Sequence, residues 1–202
     1  MKRLVFFLFF FLYFFYADAA EALKEFQDKY RRCEAIEGSF TQKTYISGDS
    51  SPQVFKGKIT IVKPDKIKIE YTSPVSQIIY VEGEKTVIYS PEEKQAVISK
   101  LDKSFLVGKI FKNLAENKSL SSVFKDIKEK EDNGKRIIIL KSDDKQVRDI
   151  FITLSKDNNL SEIQIVDSSN NKVNITFSSF KCLNKKIDIT LKLPKNVEII
   201  NY

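Results

Sequence analysis

The sequence predicts a mainly-β protein: a curled antiparallel sheet whose apolar interior is covered by two helices. Three observations carry this. Short runs of period-two alternation, separated by turn residues, occupy most of the chain after residue 38. Two segments with helical period stand apart from them. No Pro- or Ser-rich linker divides the strands. About eleven consecutive strands must curl to hide one face, and a barrel of that size is not filled by its own side chains.

The chain begins outside this pattern. Met1, Lys2 and Arg3 give a positive start, residues 4–16 form an unbroken Phe-rich apolar run, and Ala17, Asp18, Ala19 and Ala20 follow. These are the three parts of a secretory leader, cleaved after Ala19, with an uncleaved anchor as the alternative. The run is shorter than the roughly 20 residues of a spanning helix. No Cys follows it at lipoprotein spacing. The expected mature domain is residues 20–202, exported to the periplasm, and losing Lys2, Arg3 and Asp18 lowers the formal charge of +7 by one.

Residues 20–36 read as an amphipathic helix. Leu23, Phe26, Tyr30 and Cys33 recur on one face, and Gly38 ends it. Strand candidates follow at residues 39–47, 54–63, 66–71, 77–81, 85–89 and 95–99. Their breaks are residues 48–52, Pro64 with Asp65, Gly83 between two glutamates, and Pro91. The helical period returns over residues 104–117. Val107, Ile110, Phe111 and Leu114 share a face there, with Phe105 and Leu106 beside it. Gly108 weakens this helix by about 1 kcal/mol relative to Ala, which suits a movable lid as well as a fixed packing helix. Strand candidates resume at residues 123–131 and 135–141, joined by Asn133-Gly134, then at 147–155, 160–167, 172–179 and 187–193, with 197–200 as a last short edge.

Composition narrows the function. Hydrophobic residues at 42% and charged ones at 30% suit a foldable globular chain. The absence of His removes the commonest general base and metal ligand, and with them every Ser-His-Asp or Cys-His site. There is no Gly-x-Ser-x-Gly elbow. The basic residues are dispersed, without an Arg-rich cluster or stacking motif for nucleic acid. The sequence reads as a binding protein rather than an enzyme, and no cofactor or metal is implied. Alternation gives Ile59, Ile61, Ile67, Ile69 and Tyr71 one inward face, whether that face packs as solid core or lines a cavity. Export permits Cys33 and Cys182 to pair, and spacing leaves both pairing and two separate thiols open.

The order of phrases resembles the outer-membrane lipoprotein carrier family, the LolA proteins. Gly38-Ser39-Phe40-Thr41-Gln42 resembles the family's opening strand. Gly57 through Pro64, followed by Ile67-Lys68-Ile69-Glu70-Tyr71, resembles its second and third strands. Pro74 through Ile79, Gly83, Ile88-Tyr89-Ser90-Pro91 and Gln95-Ala96-Val97 resemble its central run. Asp167, Asn171-Lys172, Ile175-Thr176-Phe177 and Leu193-Pro194-Lys195-Asn196-Val197 resemble its last strands. The chain departs from the pattern where the family has Arg before the proline, which is Lys63 here, and where Ile67 and Ile69 replace Phe and Trp.

The resemblance implies an incompletely closed antiparallel β-barrel of about eleven strands, with an N-terminal helix and a helical lid over an apolar cavity. It implies a monomeric periplasmic chaperone that takes acylated lipoproteins from an inner-membrane lipoprotein-releasing ABC transporter. The chaperone delivers them to an outer-membrane lipoprotein receptor where one exists. A sensor or carrier of another apolar ligand on the same fold is the alternative. The implied acyl cavity is Ile59, Ile61, Ile67, Ile69, Tyr71 and Ile79. The implied lid is Phe105, Leu106, Val107, Ile110, Phe111 and Leu114, with Leu23, Phe26 and Tyr30 on the N-terminal helix. Lys63 takes the position of a latch that would donate hydrogen bonds to lid carbonyls in the closed state. Lys lacks the planar fork of Arg, so the latch geometry differs.

Overall fold

The computed structural model describes residues 21–101 and 106–202. The expected leader and Phe105 lie outside the described residues.

Helix α1 spans Glu21–Arg31. Its acidic first turn and basic last turn match the helix dipole. The Glu129 carboxylate accepts hydrogen bonds from the backbone N–H groups of Ala22 (3.1 Å) and Leu23 (3.0 Å), which have no partner within the helix. The helix ends five residues earlier than the apolar period suggests. Ala35 and Ile36 gain more as strand residues: each is 1% exposed and paired on both sides, with Val62 and Ile61 on one and Leu183 and Cys182 on the other.

The strands are β1 (Ala35–Tyr45), β2 (Gln53–Val62), β3 (Lys66–Ser73), β4 (Gln77–Glu82), β5 (Lys85–Ser90) and β6 (Gln95–Lys100). Helix α2 (Leu106–Ala115) and a 3-10 turn (Leu120–Ser122) follow. Then come β7 (Lys125–Asp132), β8 (Lys135–Lys141), β9 (Val147–Leu154), β10 (Leu160–Asp167), β11 (Lys172–Leu183) and β12 (Glu198–Asn201). All twelve form one sheet in the order β12-β6-β5-β4-β3-β2-β1-β11-β10-β9-β8-β7. Two meanders therefore meet where β1 pairs antiparallel with β11. The sheet curls without closing, since β7 and β12 lie at its two ends. Seven of the eight residues of β7 are charged, which discourages pairing with another edge.

Residues 187–193 are not a strand. Ile187, Ile189, Leu191 and Leu193 instead lie across the convex side of the sheet, against Val62, Tyr80, Val87, Tyr89 and Ala96. That outward patch is apolar and needs cover, which a further strand in the plane of the sheet would not provide. The chain then reaches β6, where β12 adds in parallel.

The main core lies inside the curl. One end is plugged by the buried face of α1, Leu23, Phe26 and Tyr30, and by Ile110, Phe111 and Leu114 of α2. Cys33 and Cys182 form a disulfide that ties the α1–β1 link to the end of β11. Tyr30 Oη accepts a hydrogen bond from Leu160 N–H (3.4 Å), fastening α1 to the start of β10. Among the described residues, no helix is long and apolar enough to cross a membrane.

Candidate functional site: a half-open apolar cavity

The inward residues of β1, β2, β3, β10 and β11 do not fill the curl. Between them and the first turns of α2 lies a cavity of about 540 Å³. Its wall includes Phe40 and Gln42 of β1, Ile59 of β2, Ile69 and Tyr71 of β3, Ile165 of β10, and Val173, Ile175 and Phe177 of β11. Leu106, Val107 and Phe111 of α2 cover it.

A run of aromatic rings leads from the helical plug into the cavity wall, which Phe40, Tyr71, Phe111 and Phe177 line. Phe26 meets Tyr30 (centroids 5.3 Å apart), Tyr30 meets Phe180 (5.0 Å), and Phe180 meets Phe177 (5.1 Å) and Phe111 (6.1 Å). Phe177 continues to Phe40 (6.2 Å) and Phe40 to Tyr71 (5.6 Å). Most are edge-to-face, which favours the ring quadrupoles. Phe40 fits because Gly57 lies opposite it. A Cβ there would stand 2.7 Å from Phe40 Cζ and 2.6 Å from the Glu70 carbonyl. The phenol of Tyr71 donates to Gln42 Oε1 (3.0 Å), so the wall's polar pair is satisfied, and burial pushes the Tyr71 phenol's pKa up.

The inward residues named from sequence divide into two groups. Ile59, Ile69 and Tyr71 line the cavity. Ile61 and Ile67 face inward but do not line the cavity and belong to the solid core, because they sit at the end plugged by the helices. Ile79 is half-buried against the edge of that core and does not line the cavity. Of the α2 residues, Leu106, Val107 and Phe111 reach the cavity, while Ile110 and Leu114 anchor the helix in the core. Leu23, Phe26 and Tyr30 are plug rather than lining.

Lys63 does not reach α2. Its Nζ donates to the carbonyls of Tyr30 (2.9 Å) and Arg31, the last of α1. The register requires this. Val62 pairs with Ala35, and Lys63 N–H bonds the Glu34 carbonyl (3.1 Å), so the side chain emerges beside the end of α1. A cation there caps the helix and complements its dipole. Burial, and secondarily Arg31, hold the Lys63 pKa below the usual lysine range against the opposing pull of Glu34.

Sequence reasoning missed half the wall. Phe40 and Gln42 alternate and could have been placed inward on that signal. Ile165, Val173, Ile175 and Phe177 could not be joined to them, because the β1–β11 pairing links residues more than a hundred positions apart.

The arrangement is an apolar chamber with a polar rim. Among the described residues, no group of three or more metal-ligating side chains gathers. Residues 31–189 match the family model described as outer membrane lipoprotein carrier protein LolA. The chain belongs to the LolA family. The LolA fold is a binding and carrier fold. Among solved structures, an uncharacterized conserved protein from Thermus thermophilus has a similar fold, with a TM-score of 0.58 and 9% identity. The match covers 91% of this chain and 99% of that one. A LolA superfamily protein from Nitrosomonas europaea aligns with a TM-score of 0.49 and 11% identity, over 84% of this chain and 94% of that one. No curated protein matches the sequence.

Proposed function

We propose that this LolA-family protein is a periplasmic chaperone that shelters the acyl chains of lipoproteins in the cavity under α2. It carries them from an inner-membrane lipoprotein-releasing ABC transporter to the outer membrane, and to a receptor there where one exists. Residues 1–19 serve as the export signal and residues 20–202 as the carrier domain. The observation that carries the reading is the chamber of about 540 Å³ lined by Phe40, Tyr71, Phe111 and Phe177, within the roughly 300–1,000 Å³ of ordinary ligand pockets.

The physical need is an apolar shelter. Each methylene left in water costs about 0.8 kcal/mol, so a long acyl chain does not cross an aqueous compartment unaided. Release must also be possible. Leu106, Val107 and Phe111 bury against the lining when no ligand is bound, and displacing them offsets part of the gain from binding. α2 is suited to this because its two halves are held differently. Ile110 and Leu114 fix its second half in the core, and Lys112 there donates to the Gly83 carbonyl (3.1 Å) and pairs with Glu84 (3.2 Å). The first turn lies over the cavity. α2 opens at its first turn, while α1, tied at both ends, stays as the plug.

Mass spectrometry of the protein purified from its native periplasm tests this. Co-purifying acylated peptides are the expected result. Protein that carries only non-acyl molecules, or fails to bind any synthetic lipopeptide, overturns it.

A further inference from the structure

The cavity opens between two turns. The β8–β9 turn supplies Asp144 and Gln146, and the β10–β11 turn supplies Asp167, Ser168 and Ser169. Among the described residues, the charged groups lining the cavity are both carboxylates, in a chain whose formal charge is +7. The neighbouring bases are held in pairs, and Arg148 among them also acts electrostatically on Asp167. Lys141 pairs with Asp149 and donates to the Arg148 carbonyl, and Arg148 pairs with Asp149 and Asn170. Lys172 lies beside Tyr45 on the outside, and Lys145 is exposed and does not line the cavity.

The rim's backbone donors are also engaged. Gln146 N–H donates to Asp144 Oδ1 (2.9 Å) and Val147 N–H to the Asp144 carbonyl (3.0 Å). Ser168 N–H donates to the Gln146 carbonyl (2.9 Å) and Ser169 N–H to Asp167 Oδ1 (2.8 Å). Asp167 Oδ1 also accepts from Asn171 N–H (2.8 Å) and its Oδ2 from Asn171 Nδ2 (2.7 Å). Among the described residues, what faces a headgroup is therefore two negative charges, with the free acceptors mainly on Asp144 and the donors on two serine hydroxyls and the Gln146 amide.

We propose that this rim selects the headgroup: the cavity takes acyl chains joined to an uncharged or cationic head that donates hydrogen bonds, such as an acylated peptide, and rejects anionic phospholipids carrying the same chains. The inference rests on the acyl-carrier reading. A phosphate needs donors and a positive field; here it meets two carboxylates and loses its water. Peptide N–H groups or a protonated amine find the acceptors they need. A carrier moving between two phospholipid membranes gains from such a filter, since acyl length alone does not distinguish its cargo from bulk lipid.

The test is displacement of a fluorescent apolar probe by two ligands with matched acyl chains: a diacylated lipopeptide with a neutral Ser-rich head, and phosphatidylglycerol. The parent protein should bind phosphatidylglycerol about tenfold more weakly, and the gap should narrow in high salt. Asp144→Asn with Asp167→Asn should tighten phosphatidylglycerol about five- to tenfold and should not tighten the lipopeptide. Asp144→Asn alone, which leaves the Asp167 turn intact, should recover about half of that effect on a logarithmic scale. Equal affinities in the parent, or a gap unchanged by neutralising the carboxylates, overturn the inference and leave the carrier reading standing. Binding of neither ligand overturns the carrier reading as well.

Discussion

Reducing the Cys33–Cys182 disulfide should destabilise the protein by about 3–5 kcal/mol while leaving its native structure unchanged. The two residues are 149 positions apart, so the bond closes most of the chain into one loop. Loop-closure entropy for that length is about 5 kcal/mol at 25 °C, an upper value when the unfolded chain keeps some structure. In the native state little changes. The Glu34 N–H to Leu183 carbonyl bond (2.9 Å) and the Ile36–Cys182 pairing hold the two segments together without it. Cys33, 1% exposed, is tolerated as a buried thiol. Urea unfolding followed by far-ultraviolet circular dichroism compares oxidised and reduced protein of identical sequence. With a slope of about 2 kcal/mol per molar, the midpoint should fall by about 1.5–2.5 M. Apolar-probe binding below the transition should be unchanged, because the bond lies at the plugged end. Midpoints within about 0.3 M of each other would refute the reasoning.

Lys63→Met should lower stability by about 1–2 kcal/mol, seen as a melting temperature about 3–6 °C lower, because α1 loses a cationic cap on its last carbonyls. Lys63→Arg should lose less than half of that, and a change in cargo release without a change in melting would show that Lys63 acts on α2 after all. Val107→Trp should fill the cavity and weaken apolar-probe binding at least about tenfold with the fold intact, whereas Ile61→Ala should cost about 2–4 kcal/mol and leave binding near the parent value. The opposite pattern would reverse the assignment of lining and core. The hydrogen bond from Lys141, with further help from Arg148, holds the Asp149 carboxyl below the usual range against burial. A carboxyl lowered on folding contributes stability that is present above its unfolded pKa of about 3.9 and lost as pH falls through the folded value. Thermal stability should therefore be level above about pH 5 and decline below about pH 4. An Asp149→Asn variant with the same decline would remove this pair as a cause.

Local chemistry made several elements readable in the sequence itself. Period-two alternation and the Asn133-Gly134 and Glu82-Gly83-Glu84 turns placed β2 to β11 within a few residues. The apolar stripes of Leu23, Phe26 and Tyr30 and of Val107, Ile110, Phe111 and Leu114 marked both helices. These signals act over one turn or one strand, so they survive without knowledge of the fold. The phrases resembling lipoprotein carriers also survive, since they record the same local order.

Other features depended on long-range pairing. Ile61 and Ile69 alternate identically, yet one is core and the other cavity wall, because only packing decides which end of the curl the helices plug. Lys63 was legible as a strand-end cation, but the β1–β2 register aims it at α1 rather than α2. Ile187 to Leu193 alternate like a strand and lie instead over an apolar convex patch that no local signal announces. The partnership of β1 with β11 unites the two halves of the cavity wall and brings Cys33 to Cys182, and the two acidic turns meet at the rim only when β8 to β11 have paired in order. A sequence states what each residue prefers within a few neighbours; which distant residues meet is decided by the closure of the whole sheet, where burial of one face is shared among all twelve strands.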